Sequence, residues 1–374
     1  MPSEHAALLK NSVTDFVARG TDIKRVRALR GKPQEYDRAV WQQMAELGWL
    51  GVAIPESYGG MGLGLTETAI VAEGLARALA PEPYTASAVL AAGAIAGSEN
   101  EPLKHEMLPA IVSGALLPAL AWQEQPGVLD AGHIALRATP FEGGYRLSGT
   151  KRYVTGAAGA DMYVVAGRSD SGLVLACVER GAAGVSLNLE PLADGRHFGT
   201  LQLDDAVVAR ERVAATGKAA SAALQRALDH ATAIASAELF GVMSRSLEMS
   251  VDYMKTRVQF GRPIGSFQAL QHRAVDLYIQ QQLSSAVLEE SLRELDQDPT
   301  PDKRAAIASR LKARCSDAGV RIGRETIQIH GAIGFTDEYD AGLYLKRALV
   351  LAAWLGNAAQ HRRRYAALAL KAEA

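Results

Sequence analysis

The sequence is poor in cysteine and aromatic residues. Only two of its 374 residues are cysteine, and neither Cys177 nor Cys315 stands in a CxxC or CxxH spacing. The sequence therefore supports neither a zinc site nor a disulfide framework. Cys177 lies within an apolar run over 173–178, so we interpret it as a small core residue. Aromatic residues make up 6%, which favours close-packed helices over an aromatic-rich β-sandwich.

Charge excess and long apolar runs are also missing. The net charge is -1, so nothing indicates a nucleic-acid partner. No run of about 18 apolar residues predicts a membrane span. The first residues, Met-Pro-Ser-Glu-His, lack the basic segment and apolar stretch of a secretion signal. We expect a cytoplasmic protein that binds neither nucleic acid nor membrane.

Several cofactor and catalytic signatures are absent too. The glycines at 59, 60, 62 and 64 do not form GxGxxG, and no strand is predicted before them. The sequence contains no P-loop, no GxSxG elbow and no HExxH, and its eight histidines show no ligand spacing. Nicotinamide, nucleoside triphosphate, triad-hydrolase and metal chemistries are therefore poorly supported.

Hydrophobic periodicity predicts an α+β, mainly α protein with helices on either side of a β-domain. Helical spacing or breaks predict helices over 40–50, 66–79, 86–96, 103–112, 239–254, 269–295, 303–330 and 340–370. Short β-like runs over 145–147, 162–166, 173–178 and 201–203 alternate with turn pairs and predict a mostly antiparallel sheet. We predict an N-terminal helical domain over 1–118, a middle β-domain over 119–218 and a C-terminal four-helix bundle over 219–374.

Two segments of the C-terminal region are candidates for binding a diphosphate. In residues 253–268 a long helix ends and the chain turns through Gly261 and Pro263 into the next helix. Arg257 and the backbone N–H groups of a helix start suit an anion, although a plain helix hairpin with a surface arginine is the simpler interpretation. In residues 328–338 a helix opens into a glycine loop, where a ligand can approach the backbone closely. The alternative there is a glycine that only ends the helix.

Together, and in this order, the two segments closely resemble those of the acyl-CoA dehydrogenase family. The similarity extends over nearly the whole chain, from residues 41–63 through 147–156 to 344–364. The last segment resembles a bacterial branch that includes the small subunit of pimeloyl-CoA dehydrogenase and steroid side-chain dehydrogenases. The resemblance implies FAD between the β-domain and the C-terminal bundle, with a neighbouring subunit closing over its ADP half.

The resemblance also implies roles for individual residues. Tyr153 is expected to flank the isoalloxazine ring, and Thr155 to hydrogen-bond near flavin N5. A set at the helix junction is expected to reach the neighbour's ADP moiety: Arg257, Gln259, Phe260, Ile264, Phe267 and Gln268, with Gln328, Ile329, Gly331 and Ala332 beside them. Trp122, Glu124, Trp354 and Asn357 complete the expected cofactor-binding set. Phe260, Ile264 and Ile329 have an alternative interpretation as apolar residues of the bundle core.

The loop that enters the β-domain departs from the family pattern. The family commonly shows a T-E-P-G-x-G-S-D-like loop, whereas residues 121–130 read A-W-Q-E-Q-P-G-V-L-D. Glu124, Pro126 and Gly127 are similar, but the serine is missing.

The family's catalytic glutamate is missing as well. Dehydrogenation needs a base for the α-proton of the thioester, and a desolvated carboxylate is the natural choice. Gly356 is present, but Leu355 stands where the family often has this Glu. A second family position for the base falls near Ala231, beside His230 and Thr232, and no Glu occupies it.

Two carboxylates and one histidine remain as candidate bases. Glu238 lies in the long apolar helix, and its alternative interpretation is a structural ion pair or an exposed helix face. Asp229 has an alternative as a solvated first-turn residue. His230 is able to act as a base, but a lone histidine is more often a surface or core residue.

Four hypotheses follow from these observations. In the first, the chain is an FAD-dependent acyl-CoA dehydrogenase that lacks Glu and works in a heteromer with a Glu-bearing paralogue and an electron-transfer flavoprotein or similar acceptor. In the second, it is an active homo-oligomer that uses Glu238 or Asp229. The third is a binding or scaffold subunit without activity, and the fourth is a flavin monooxygenase on the same fold. The roles of alanines in residues 84–100 and 229–250, in a roomy acyl pocket or in tight helix crossings, stay open.

Overall fold

A computed structural model of the protein describes residues 4–20, 23–127 and 129–372. The contacts divide the chain into two compact units. The bundle unit comprises Met1–Lys24, Ala69–Ala80 and Thr232–Ala374, and the sheet unit comprises Arg25–Thr68 and Pro81–Ala231. The boundaries at 118/119 and 218/219 stay a prediction. The expectations for the first three residues, and for Val128 of the β-domain loop, fall outside the described residues.

The part of the chain that the structure describes contains eleven α-helices. They are α1 (Glu4–Gly20), α2 (Ile23–Leu29), α3 (Arg38–Glu46), α4 (Leu65–Arg77), α5 (Ala92–Ala96), α6 (Glu101–Val112), α7 (Gly217–Thr256), α8 (Gln268–Leu295), α9 (Pro301–His330), α10 (Ala341–Ala353) and α11 (Ala358–Ala372). A π-helical segment, Thr85–Ala91, runs directly into α5. In the described ranges no helix has both the length and the apolar content to cross a bilayer.

Local sequence signals explain where several helices begin. The side chain of Asp37 accepts a hydrogen bond from the N–H of Ala39 at the start of α3, and Asn100 does the same for Leu103 in α6. Both are N-cap residues of the preferred type. α9 begins with Pro301 in its first turn, where the missing N–H costs nothing.

Ten strands lie in the described residues. They are β1 (Pro118–Ala121), β2 (Arg137–Phe141), β3 (Gly144–Thr155), β4 (Met162–Ser169), β5 (Gly172–Glu179), β6 (Val185–Pro191), β7 (His197–Ala209), β8 (Val213–Thr216), β9 (Val258–Gln259) and β10 (Arg262–Pro263). The first eight form one sheet in the order β6-β7-β3-β2-β4-β5-β8, with β1 beside β4. Only the β1–β4 and β2–β4 pairs are parallel, so the mostly antiparallel sheet is confirmed.

The mainly α fold with a central sheet and C-terminal helices is confirmed, and one predicted helix is wrong. A single helix was expected over 340–370, but α10 ends at Ala353 and α11 begins at Ala358. Leu355 (φ 56°) and Gly356 (φ 97°) adopt left-handed backbone conformations, which no α-helix can continue through. The apolar periodicity is uninterrupted across this break, because Trp354, Leu355 and Ala358 are all buried.

In the bundle unit, α7 crosses α4 at a glycine. A β-carbon built on Gly241 would lie 2.4 Å from the carbonyl oxygen of Glu73, which is backbone and cannot swing aside. The helix backbones thus approach more closely than alanine permits.

We predict that Gly241→Ala lowers the free energy of unfolding by about 1–3 kcal/mol, because the methyl group forces α4 and α7 apart. Urea unfolding followed by circular dichroism measures the change. Gly181→Ala is the matched control, since a β-carbon there meets no atom within 4 Å. Equal stability of the two variants would contradict this account of the helix crossing.

Candidate functional site

A distorted stretch of β3 positions Tyr153 and Thr155. The register between β3 and β7 shifts between Lys151 and Val154, and Tyr153 has a left-handed backbone (φ 58°). Such bulges re-aim side chains and are frequent beside functional sites. The Tyr153 ring meets Phe198 of β7 edge to face, with centroids 5.9 Å apart.

The hydroxyl of Thr155 is a buried polar atom that lacks a hydrogen-bond partner among the described residues. An unpaired buried hydroxyl costs about 1–3 kcal/mol. Native structures rarely tolerate this cost unless a ligand or water supplies the partner. The arrangement around Tyr153 and Thr155 thus leaves one polar contact for a bound group.

A buried lysine ties the loop after β1 to β3. Lys151 is fully buried, and its Nζ donates to the carbonyl oxygen of Trp122 (3.1 Å) and to Oε1 of Glu124 (2.5 Å). Burial lowers the pKa of Lys151 to about 8. Glu124 also accepts from the N–H groups of Ala135 and Leu136. Burial acts to raise the pKa of Glu124, but the hydrogen bond from Lys151 and the nearby charge lower it. The Glu124 carboxylate is therefore occupied within the protein.

The junction after α7 is a two-residue hairpin. Strands β9 and β10 pair, and the two residues between them, Phe260 (φ 54°) and Gly261 (φ 79°), are both left-handed. This is the backbone that type I′ hairpin turns require. Phe260 is 93% exposed. The expected ADP-contacting residues Arg257, Gln259 and Gln268 are also exposed, whereas Phe267 is half-buried and Ile264 is buried.

The start of α8 at this junction has no side-chain cap. Its N-cap residue, Phe267, makes no side-chain capping bond, so the first N–H groups of α8 are not satisfied by a cap. The guanidinium of Arg262 lies 4.3 Å from the centre of the Phe267 ring. Positive charge and the N–H groups of a helix start without a side-chain cap therefore coincide where the sequence predicted a diphosphate.

The glycine loop after α9 lies next to the end of α7. The rings of Tyr253 and His330 are 4.4 Å apart, and the Oγ of Ser250 bonds the Oγ1 of Thr326 (3.1 Å). The two helix ends that carry the predicted segments are thus in contact. Gly331 is left-handed (φ 64°), and a β-carbon there would meet nothing. Gln328, Gly331 and Ala332 are exposed, and Ile329 is buried.

A hydrogen-bonded histidine stabilises this contact. Nδ1 of His330 lies 2.7 Å from the carbonyl oxygen of Thr326, so it carries the proton and donates. Nε2 then accepts from the hydroxyl of Tyr339 at 3.1 Å. Burial lowers the pKa of His330 and raises that of Tyr339. Both shifts favour the neutral forms that this arrangement needs.

The position of the missing glutamate lies in the turn between α10 and α11. Leu355 is buried and left-handed, and Trp354 beside it is also buried. Asn357 is the N-cap of α11: its Oδ1 accepts the N–H of Gln360 (3.0 Å), and Gln360 Oε1 accepts the N–H of Asn357 (2.8 Å). This reciprocal capping box uses the Asn357 side chain within the protein.

Both candidate carboxylate bases have polar partners. In the bundle unit, Oε2 of Glu238 accepts from Nη2 of Arg347 at 2.6 Å, and both side chains are buried. In the sheet unit, Oδ1 of Asp229 accepts from Nε2 of Gln225 at 3.1 Å, and Asp229 is fully buried. His230 is half-buried. The ion-pair interpretation of Glu238 agrees with this geometry.

Comparisons with known proteins agree with the fold and the segments described above. Two family models match, "Acyl-CoA dehydrogenase, N-terminal domain" over residues 3–115 and "Acyl-CoA dehydrogenase, C-terminal domain" over residues 219–370. The acyl-CoA dehydrogenase FadE27 of Mycobacterium tuberculosis is 32% identical over 347 residues, 90% of each protein.

Two solved structures are similar over almost their full length. A chain from a variant of the Tcur3481-Tcur3483 steroid ACAD gives a TM-score of 0.89 at 30% identity, with 99% of both chains covered. The ChsE4-ChsE5 complex from Mycobacterium tuberculosis gives a TM-score of 0.88 at 29% identity, with 99% of this chain and 98% of that chain covered.

The chain belongs to the acyl-CoA dehydrogenase family. It is thus an FAD-dependent oxidoreductase by family, with acyl-CoA thioesters as the substrate class. The predicted family and its bacterial branch are confirmed.

Sequence reasoning missed two buried lysines. Lys312 lies on the buried stripe of α9 together with Ala308, Cys315 and Gly319, and a lysine on an apolar stripe at helical spacing was the available signal. Lys151 follows Leu147 and Gly149 at period 2 on β3. The bulge in β3 obscured that signal.

We predict that His330→Phe destabilises the protein by about 1–2 kcal/mol near pH 8, because two hydrogen bonds are lost while the ring contact with Tyr253 is kept. The folded-state pKa of His330 lies below its ordinary value of 6.5. The contribution of neutral His330 to the free energy of unfolding of the wild type is therefore fully present above about pH 6.5. It decreases as the pH falls below that value. The gap between wild type and variant should narrow as the pH falls toward 5.

Urea unfolding at several pH values measures this gap. His272→Phe is the control, because His272 is exposed on α8. A gap that stays constant between about pH 8 and pH 5 would show that His330 does not titrate as described.

Proposed function

We propose that this chain is the glutamate-lacking subunit of a heteromeric acyl-CoA dehydrogenase. One observation carries the proposal: residue 355, in the family's glutamate position, is a buried leucine in a left-handed turn. Leucine accepts no proton, and the carboxylate of the candidate base Glu238 is held by Arg347. A Glu-bearing paralogue would supply the base.

The residues of this chain fit FAD. The unpaired hydroxyl of Thr155 is suited to hydrogen-bond the flavin ring. The half-buried Tyr153 is suited to lie beside that ring. The Arg257 junction and the Gly331 loop offer charge, N–H groups and open backbone to a neighbouring subunit's ADP moiety. Trp122 contributes to the proposed FAD site as part of the loop after β1, whose backbone Lys151 binds through the carbonyl oxygen of Trp122. When bound, FAD supplies a hydride acceptor at N5.

The proposed division of labour follows from these side chains. Thr155 and Tyr153 hold and orient the flavin ring within this chain. Leu355 and Trp354 place buried apolar side chains, which exclude water, where the paralogue has a carboxylate. Glu124 and Asn357 contribute indirectly: Glu124 anchors Lys151, and Asn357 caps α11.

Names of relatives support the proposed substrate and partners. A steroid ACAD and a two-component ChsE4-ChsE5 complex are among the similar structures. We propose a steroid-derived or other bulky acyl-CoA as substrate, a Glu-bearing paralogue as partner, and an electron-transfer flavoprotein or similar protein as electron acceptor.

We predict that the purified wild-type chain is yellow and is not bleached anaerobically by short, medium or long acyl-CoA or by a steroid side-chain acyl-CoA. Leu355→Glu should introduce a base and raise the rate of flavin bleaching at least about 100-fold. Leu355→Gln is the matched control, because glutamine has nearly the same size as glutamate but its amide does not act as a base. Stopped-flow absorbance measures the rate.

Each other result selects another function. Rapid bleaching of the wild-type chain would reject the proposal and indicate a base such as Glu238 or Asp229. NADH-driven oxygen uptake would indicate a monooxygenase. A chain that stays colourless with every Glu-bearing paralogue would indicate a scaffold.

We predict that Thr155→Val weakens FAD binding about fivefold, since one hydrogen bond contributes about 1 kcal/mol. The same change should leave the flavin-free protein equally stable or slightly more stable, because an unpaired buried hydroxyl is removed. Fluorescence titration with FAD and urea unfolding measure the two effects.

Thr150→Val is the control on the same strand. Its hydroxyl bonds Gln202 within the protein (2.5 Å), so stability should fall slightly and FAD affinity should not change. If Thr155→Val destabilises the flavin-free protein as much as Thr150→Val does, the hydroxyl of Thr155 already has a partner and its assignment to FAD fails.

A further inference from the structure

Lys312 places an ammonium group in the interior of the bundle unit. It lies in the middle of α9 and is fully buried. Its Nζ donates to three carbonyl oxygens, those of Leu351 (2.9 Å), Ala352 (3.3 Å) and Gly356 (2.9 Å). The Oγ of Ser316, one turn along α9, is 3.4 Å away. These contacts match the donors of an ammonium group.

The carbonyl oxygens that Lys312 binds belong to one place in the chain. Leu351 and Ala352 lie in the last turn of α10, where carbonyl groups have no partner within their own helix. Gly356 lies in the turn that follows. A cation is favoured at a helix C-terminus, and here the cation also bonds the turn to that helix.

This lysine is costly to bury. Its contacts include no carboxylate among the described residues, and burial lowers the pKa of Lys312 to about 7. Its three hydrogen bonds to carbonyl oxygens offset part of that cost, and all three acceptors lie at one place in the chain. The contacts of Lys312 therefore act on the end of α10 and on the turn that follows it.

A histidine holds the same turn from the other side. Nε2 of His361 lies 2.8 Å from the carbonyl oxygen of Leu355, and Nδ1 lies 3.2 Å from Oγ of Ser309. Burial lowers the pKa of His361 to about 3, and the positive charge of Lys312 contributes to the same shift. His361 is thus neutral, with Nε2 donating to Leu355 and Nδ1 accepting from Ser309.

Residue 355 therefore has its backbone fixed on both sides. Its own carbonyl bonds His361, and the next carbonyl bonds Lys312. The left-handed conformation of a leucine is unfavourable and persists only where surrounding contacts over-determine it. Backbone conformation at 355 decides the direction of its Cα–Cβ bond.

We propose that Lys312 is a positioning residue that fixes the turn at 354–356 and so sets the direction in which side chain 355 is presented. In this chain the side chain presented there is leucine. Only the statement that side chain 355 faces the reacting groups rests on the proposed function.

Lys312→Met tests the proposal, because methionine fills similar space without donors. Lys303→Met is the matched control, since Lys303 is exposed on the same helix. Hydrogen exchange of the intact protein, read by mass spectrometry, should speed up at least about tenfold in a peptide spanning 350–358 and clearly less elsewhere. The urea midpoint should fall relative to the control, because three buried carbonyl groups lose their donor.

A second readout uses the Leu355→Glu chain. There, Lys312→Met should lower kcat about tenfold with KM within about twofold, and shift the acidic limb of the pH profile, because the carboxylate is misaligned and its surroundings change. Lys303→Met should do neither. Loss of stability alone would change the amount of active protein and leave the pH profile in place.

Unchanged exchange in 350–358 would overturn the proposal, as would a uniform rise over the whole bundle. If Lys312→Met does not fold, Lys312→Gln, which keeps some donors, serves instead and should show a smaller, still local increase. The exchange measurement needs no flavin. A colourless protein with a local increase would therefore reject the proposed function and keep the role of Lys312.

Discussion

The packing of α9 inside the bundle unit is the constraint on which the candidate site depends. Helix α9 contacts α8, α10 and α11, and two of its polar residues, Lys312 in the middle and His330 at the C-terminal end, lie within apolar surroundings. His330 holds the C-terminal end against α7, and Lys312 holds the turn after α10. One helix thus orders both the glycine loop and the glutamate position, so a shift of α9 would disturb the two together.

Much of the fold was predictable because long amphipathic helices carry a clear period. Helices α8 and α9 begin and end within a few residues of the prediction. The turn at Leu355 was missed although Gly356 and the N-cap Asn357 are typical of a helix break, because the buried apolar residues Trp354, Leu355 and Ala358 continue the pattern of the flanking helices. A left-handed leucine has no compositional signal; its conformation is imposed by Lys312 and His361 from other parts of the chain.

The candidate site was predictable mainly by resemblance. Motif order pointed to Thr155 and Arg257, but only coordinates show that the Thr155 hydroxyl lacks a partner. They also show that Glu124 and Asn357 have their side chains occupied within the protein. Which polar group is satisfied depends on contacts between residues far apart in sequence, and periodicity carries no information on such contacts.

The hairpin tip at Phe260 has a consequence for how the chain is made in the cell. An aromatic residue that is almost fully exposed to water favours non-specific association with other apolar surfaces. Under the proposed assembly, docking onto another subunit removes that hazard. Production of the two subunits in matched amounts, close in time and place, would then protect this chain from aggregation and from quality-control proteases.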